Sequence, residues 1–291
     1  MKKTKSAFYK SALFSYAVFI MGNAVIALPD NSSNQFTVLG LAVSGVVSLA
    51  FIALLSMVSY FVTEGKTGRF SAVLKTVIWI AVALLAVFSA ADTLTDFTSF
   101  VSNNILTEVP LFVTVVTFTA VLVYFFFKRQ EDSLKFSFLC FIFTAVLVVF
   151  FFFATSKNFE WKNLYINKIP DFKELKASVM PYFLKVSAPC IILPFYHRLV
   201  FSNRSYSACC YGVITGYVLL FLCVLPSVLL FTPSLAGRLS YPYASAISTV
   251  TVGKIFTRLD GFSYFIYFAA ALIKINICLF TVKKAIHLIS D

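Results

Sequence analysis

The chain has 291 residues, of which 60% are hydrophobic, 18% aromatic and only 12% charged. Soluble domains carry roughly 25% charged residues, so this composition argues against a water-soluble fold and points to lipid as the solvent. The net charge of +12 sits in short hydrophilic gaps between apolar runs rather than on one basic face. That excludes nucleic acid as a partner and leaves the bilayer.

A helix needs roughly 20 apolar residues to cross a bilayer, with about 17 to 25 seen. Taken in chain order, segments 12–28, 38–62, 73–91, 111–127, 136–154, 208–231 and 262–282 meet this requirement. Segment 179–200 is a weaker span, since it holds Lys185, Pro189, Pro194 and His197, but the charge pattern of the later loops needs it. The fold class is therefore an all-α, polytopic transmembrane helical bundle of about eight spans, read as one transmembrane domain over 1–291. The start of the chain resembles a signal n-region, but no small-x-small cleavage site follows, so the first segment reads as a retained helix.

Lysines and arginines set the orientation. Lys2, Lys3, Lys5 and Lys10, then Lys66, Arg69 and Lys75, then Lys128, Arg129 and Lys135 fall on one side, whereas 29–37 and 92–110 hold no Lys or Arg. Both termini are expected to be cytoplasmic. Segment 156–176 reads as a polar stretch on the outer surface, and 245–257 as a short surface helix or re-entrant piece.

Soluble-enzyme chemistry has no foothold. There are two histidines, His197 and His287, both near predicted membrane edges, and no nucleotide-binding, zinc-protease or serine-hydrolase motif. The twelve acidic residues read as loop or helix-end groups. Asp92 and Asp96 share a face, being four apart, and read as solvated residues capping the third helix, with a cation-attracting mouth as the alternative. The six cysteines lack metal-ligand spacing and read as small buried hydrophobes. No cofactor and no enzymatic activity are expected.

Interrupted helices are the stronger lead. Transporters built from inverted repeats bind solutes where helices unwind near the midplane and free their backbone groups. Met21-Gly22-Asn23-Ala24 interrupts the first span, and Ser187-Ala188-Pro189-Cys190 interrupts the sixth, where Pro189 lacks an N–H. The first and sixth helices are the pair a five-plus-five inverted repeat breaks. Lys274 lies well inside the last span, and an intramembrane lysine is costly enough to require a cavity or a partner. Its span ends at Lys283, roughly 13 Å away at 1.5 Å per residue, too far for easy snorkelling. Lys274 is read as a fixed cation or a proton carrier, with Asn276 as its neighbour. The candidate solute site is thus Gly22, Asn23, Ala24, Ser187, Ala188, Pro189, Cys190, Lys274 and Asn276. Lys185 is placed near an outer vestibule.

One stretch has a familiar order: Gly253-Lys-Ile-Phe-Thr-Arg-Leu-Asp-Gly-Phe-Ser-Tyr-Phe-Ile-Tyr, then Ile273-Lys274-Ile275, with Arg258 and Asp260 two apart ahead of the lysine. Together with Gly22 through Leu28-Pro29, and Thr95-Asp96-Phe97 through Glu108-Val109-Pro110, it resembles the spore germination permeases. These are the B subunits of nutrient germinant receptors, within the amino acid–polyamine–organocation (APC) superfamily. The resemblance runs over most of the chain. It implies a LeuT/APC-like inverted-repeat core, here lacking the last two of ten helices. It also implies a spore inner membrane location, a small nutrient ligand (an amino acid), and A and C subunits as partners. The leading expectation is a receptor subunit that binds the nutrient between helices one and six and signals to those partners. The alternative is a proton-coupled amino acid transporter, and a third reading is a non-transporting component of an assembly.

Overall fold

A computed structural model describes residues 2–22, 25, 36–64, 69–105, 108–164, 171–201, 206–232, 235, 239, 241–249 and 260–290. The regular elements found there are helical. The long helices are α1 (Lys2–Met21), α2 (Thr37–Glu64), α3 (Arg69–Asn104), α4 (Leu111–Phe127) and α5 (Gln130–Thr155). A broken helix follows. It comprises α6 (Phe172–Tyr182), a π turn (Phe183–Ser187), a 3-10 turn (Pro189–Ile191) and α7 (Ile192–Val200). The chain closes with α8 (Ser207–Leu230), the short α9 (Pro242–Ser248) and α10 (Asp260–Ser290).

Six of these helical stretches are long and apolar enough to cross a membrane: Thr37–Thr63, Ala72–Asn104, Gln130–Asn158, Phe172–Val200, Ser207–Leu230 and Gly261–Ser290. The shorter apolar helices Lys10–Met21 and Leu111–Phe127 fall on the remaining two predicted spans. Burial sorts the helices into a centre and a periphery. Within its most apolar stretch α10 is 72% buried, against 22% for α3 and 28% for α2 and α5. Large apolar side chains such as Met57, Phe88, Phe112 and Phe153 lie on the exposed faces. Such an apolar exterior is stable only against hydrocarbon, so the protein is an integral membrane protein.

The centre is built on α1 and α10. Residues 15–21 of α1 are almost wholly buried, packed along α8 and α5, while α10 packs along α3. The approach of α1 to α8 depends on Gly212 and Gly216. A Cβ on Gly212 would stand 2.7 Å from the Leu13 carbonyl oxygen, and one on Gly216 would stand 2.6 Å from Ile20 Cβ. The four-residue spacing of these glycines is the small-xxx-small pattern of close membrane-helix pairs, a signal overlooked in the sequence.

Several sequence expectations need correction. The third helix does not end at 91, and Asp92 and Asp96 do not cap it: α3 continues to Asn104. Thr93, Thr95 and Thr98 return their hydroxyls to the carbonyls of Ser89, Ala91 and Leu94 at 2.7–2.9 Å, so the polar run remains helical. Phe97, Phe100 and Val101 supply its buried face. The statement that acidic residues keep to loops and helix ends fails for the same reason. Within the polar stretch 156–176, residues 172–176 are exposed or half-buried and form the first turns of α6. The Asp171 N–H donates to the Glu174 carboxylate at 3.0 Å, half of a capping box, and the helix starts at Phe172. His197, three residues before the end of α7, is fully buried, with its Nδ1 2.9 Å from the Tyr16 hydroxyl. A short helix runs over Pro242–Ser248 and overlaps the start of the expected 245–257 stretch, Pro242 suiting its first turn; residues 250–257 lie outside the described set.

Candidate functional site

The first helix stops where the sequence indicates. Gly22 takes φ +27°, the only described glycine with positive φ. Its N–H still donates to the Val18 carbonyl at 3.0 Å, and the Val25 N–H to Met21 at 3.2 Å. An L-residue in the left-handed region costs roughly 1–2 kcal/mol, which favours glycine here. Space gives a second reason. A methyl group on Gly22 would overlap the Lys274 side chain and stand 2.9 Å from the Phe19 carbonyl oxygen. Asn23 and Ala24 lie outside the described residues.

The sixth helix is broken by Pro189. Its missing N–H deprives the Lys185 carbonyl, four residues earlier, of its normal helical donor. The ladder adjusts to a π turn, in which the Ala188 N–H reaches the Phe183 carbonyl at 2.8 Å. π turns inside helices often mark functional positions. The surroundings hold the turn in place. Ser187 Oγ donates to the Ser44 carbonyl at 3.0 Å and lies 2.7 Å from Ser44 Oγ. The Tyr217 hydroxyl of α8 bridges Ser44 and Ser48 of α2 at 2.8 and 2.7 Å. Cys190 is fully buried, its thiol 3.1 Å from the Val186 carbonyl.

Lys274 joins the end of α1 to the break in the sixth helix. It is 1% exposed, and its ammonium donates to the Lys185 carbonyl at 3.0 Å. The same Nζ stands 5.7 Å from the centre of the Phe19 ring on α1, within cation–π range. Cys278, one turn on, and Cys190 lie within its electrostatic reach. A buried ammonium without compensation would be prohibitive. Here an orphaned carbonyl and an aromatic face supply it.

Lys185, expected near an outer vestibule, carries a second charge cluster. Its Nζ contacts Asp92 at 3.1 Å and Asp96 at 2.5 Å. These side chains are only 20–32% exposed. Two carboxylates and two ammonium groups thus share the interior between α3, the π turn and α10.

The geometry brings Gly22, the 187–190 turn and Lys274 together. It takes Asn276 elsewhere. Two residues from Lys274, about 200° around the helix, Asn276 donates to Ser133 on α5. Arg258 lies outside the described residues, and the Asp260 side chain is not described. Among the described residues no cluster of His, Cys, Asp and Glu could hold a metal. Two apolar grooves lie away from Lys274. One, about 340 Å³, runs between α2 and α8, and the other, about 370 Å³, between α3, α4 and α10.

A lipid-embedded helical bundle with an interrupted helix beside a buried lysine and a half-buried Lys–Asp cluster has the architecture of a membrane permease. The family model described as a spore germination protein matches residues 9–289, nearly the whole chain, and the chain belongs to this spore germination permease family. Membership makes it a germinant-receptor-type permease, from a family that works with other subunits and a small-molecule germinant and is not an enzyme family. No curated protein matches the chain.

Proposed function

We propose that this chain is the nutrient-binding subunit of a germinant receptor and that its ligand is a small amino acid. The ligand sits between Gly22 (with Asn23 and Ala24 next in the chain), the turn of Ser187, Ala188, Pro189 and Cys190, and Lys274. The observation that carries this reading is the Lys274 ammonium, buried between the end of α1 and the broken sixth helix and held by a carbonyl that Pro189 leaves without its helical donor. A ligand carboxylate is a stronger acceptor for an ammonium than a neutral carbonyl, so it displaces the Lys185 oxygen.

Charge balance supports a zwitterion. Asp92, Asp96, Lys185 and Lys274 sum to zero formal charge. A lone anion or cation would leave uncompensated charge in a low-dielectric interior, whereas a zwitterion preserves neutrality. The fold reading that goes with this is an APC-like core with both termini cytoplasmic, in the spore inner membrane, with A and C subunits as partners. Ligand binding shifts the equilibrium of the bundle, and the partners sense the shift.

Thermal-shift screening of the detergent-solubilised protein against single amino acids and sugars tests this. An amino acid that raises the melting temperature of the wild type but not of Lys274→Met supports the reading. Equal stabilisation of both proteins, or of neither across the panel, contradicts it. Uptake of labelled amino acid by reconstituted protein, abolished in Lys274→Ala, would favour a proton-coupled transporter instead.

A further inference from the structure

Lys185 acts through both halves of the residue. Its main-chain carbonyl receives the Lys274 ammonium at 3.0 Å, and its side-chain ammonium is clamped by Asp92 and Asp96 of α3 at 3.1 and 2.5 Å. The residue lies in the middle of the π turn Phe183–Ser187. With Pro189 four residues on, its carbonyl lacks the usual N–H partner. Whatever draws Lys274 away therefore removes a donor that the π turn relies on.

We propose that Lys185 is the positioning residue that couples occupancy of the Lys274 site to the position of α3. This inference rests on the solute site proposed above and extends it to signalling. When a ligand carboxylate takes the Lys274 ammonium, the freed Lys185 carbonyl needs a new donor, because a buried unpaired carbonyl is costly. The turn reorganises to find one. The Lys185 Cα moves with the turn while its Nζ stays bound to the α3 carboxylates, so α3 shifts against α6. The other end of the device resists strain. Ser187 is tied to Ser44 and, through Ser44, to Tyr217, so the displacement is directed towards α3 rather than α2.

Electron-spin distance measurement in lipid nanodiscs tests this. Spin labels are placed at Asn103 of α3 and Lys176 of α6, both exposed, in protein whose half-buried Cys210 is replaced by Ser. The probe is a mixture of the standard amino acids, and binding is followed in parallel by melting temperature. In the parent protein the mixture should raise the melting temperature and shift the distance distribution. Lys185→Met combined with Asp96→Asn keeps the formal charges of the group at zero; it should keep the rise in melting temperature and lose the shift, and Lys185→Arg should retain both. Should that protein fail to fold, Lys185→Met combined with Asp92→Asn keeps the same balance and must show the same loss of shift. A parent that binds without a shift, or a charge-balanced Lys185→Met protein that shifts like the parent, overturns the coupling alone. A parent whose melting temperature does not respond overturns the solute site and the coupling together.

Discussion

At the scale of single residues, the site depends on what Gly22 and Lys274 allow each other. Gly22 supplies a left-handed turn and an absent side chain, and Lys274 fills the space this leaves. Gly22→Ala is expected to destabilise the protein by at least about 1–2 kcal/mol from the backbone alone, with steric overlap added. Combining it with Lys274→Met should relieve part of the overlap and none of the backbone cost, measured by chemical unfolding in detergent. Asn276 separates packing from binding. Its amide serves Ser133 rather than Lys274, so Asn276→Ala should cost about 1–3 kcal/mol of stability by leaving a buried hydroxyl unpaired. The ligand-induced rise in melting temperature should survive. Loss of that rise in Asn276→Ala would place Asn276 in the site.

At the scale of elements, the broken sixth helix carries the argument. Pro189→Ala restores an N–H four residues after Lys185, so the turn can relax towards a regular helix and satisfy that carbonyl itself. The helix gains by losing an interior proline, while Lys274 loses its hold on the Lys185 carbonyl, so the two effects on stability oppose each other. The variant's response to amino acids should rise, since the Lys185 oxygen no longer competes with the ligand carboxylate for Lys274. Circular dichroism and thermal shift together check this, and an unchanged ligand response would contradict it. The clamp around the turn is testable separately. Tyr217→Phe removes a hydroxyl shared by Ser44 and Ser48 and should cost about 1–2 kcal/mol, measured by thermal unfolding. These elements also show what was legible in advance. Gly22 and the Ser187–Cys190 break could be read because glycine and proline interrupt an apolar run directly, and Lys274 because an ion inside a span stands out against hydrocarbon. The continuation of α3 was not legible. Its Asp and Thr residues look like a loop until the Thr hydroxyls are seen folding back on their own helix and the carboxylates are seen facing Lys185. That pairing joins residues 93 and 89 positions apart, which no local pattern encodes. Asn276 is close to Lys274 along the chain but not in space, because two residues on a helix point in nearly opposite directions.

At the scale of the whole molecule, the bundle is apolar outside and holds the Asp92, Asp96, Lys185 and Lys274 group, of zero formal charge, between its helices. That division places the outer faces of α2 to α5 against lipid and leaves α1, the broken helix and α10 to carry chemistry. It also predicts selectivity by charge type. Zwitterionic amino acids should stabilise the protein, while their methyl esters and their deaminated acids, each carrying one uncompensated charge, should not. A series of these analogues at equal concentration in the melting assay checks this, and equal stabilisation by an amino acid and its methyl ester would contradict the balance argument.

The claim on which the rest depends is that the Lys274 ammonium, parked on the Lys185 carbonyl, is the group that receives the solute. Equilibrium binding of a radiolabelled amino acid, chosen as the strongest stabiliser in the thermal screen, to nanodisc-embedded wild-type and Lys274→Met protein tests it directly. A hydrogen bond to a charged group contributes about 1.5–3 kcal/mol, so the substitution should weaken binding about 10- to 100-fold. Binding to Lys274→Met with wild-type affinity would contradict the account.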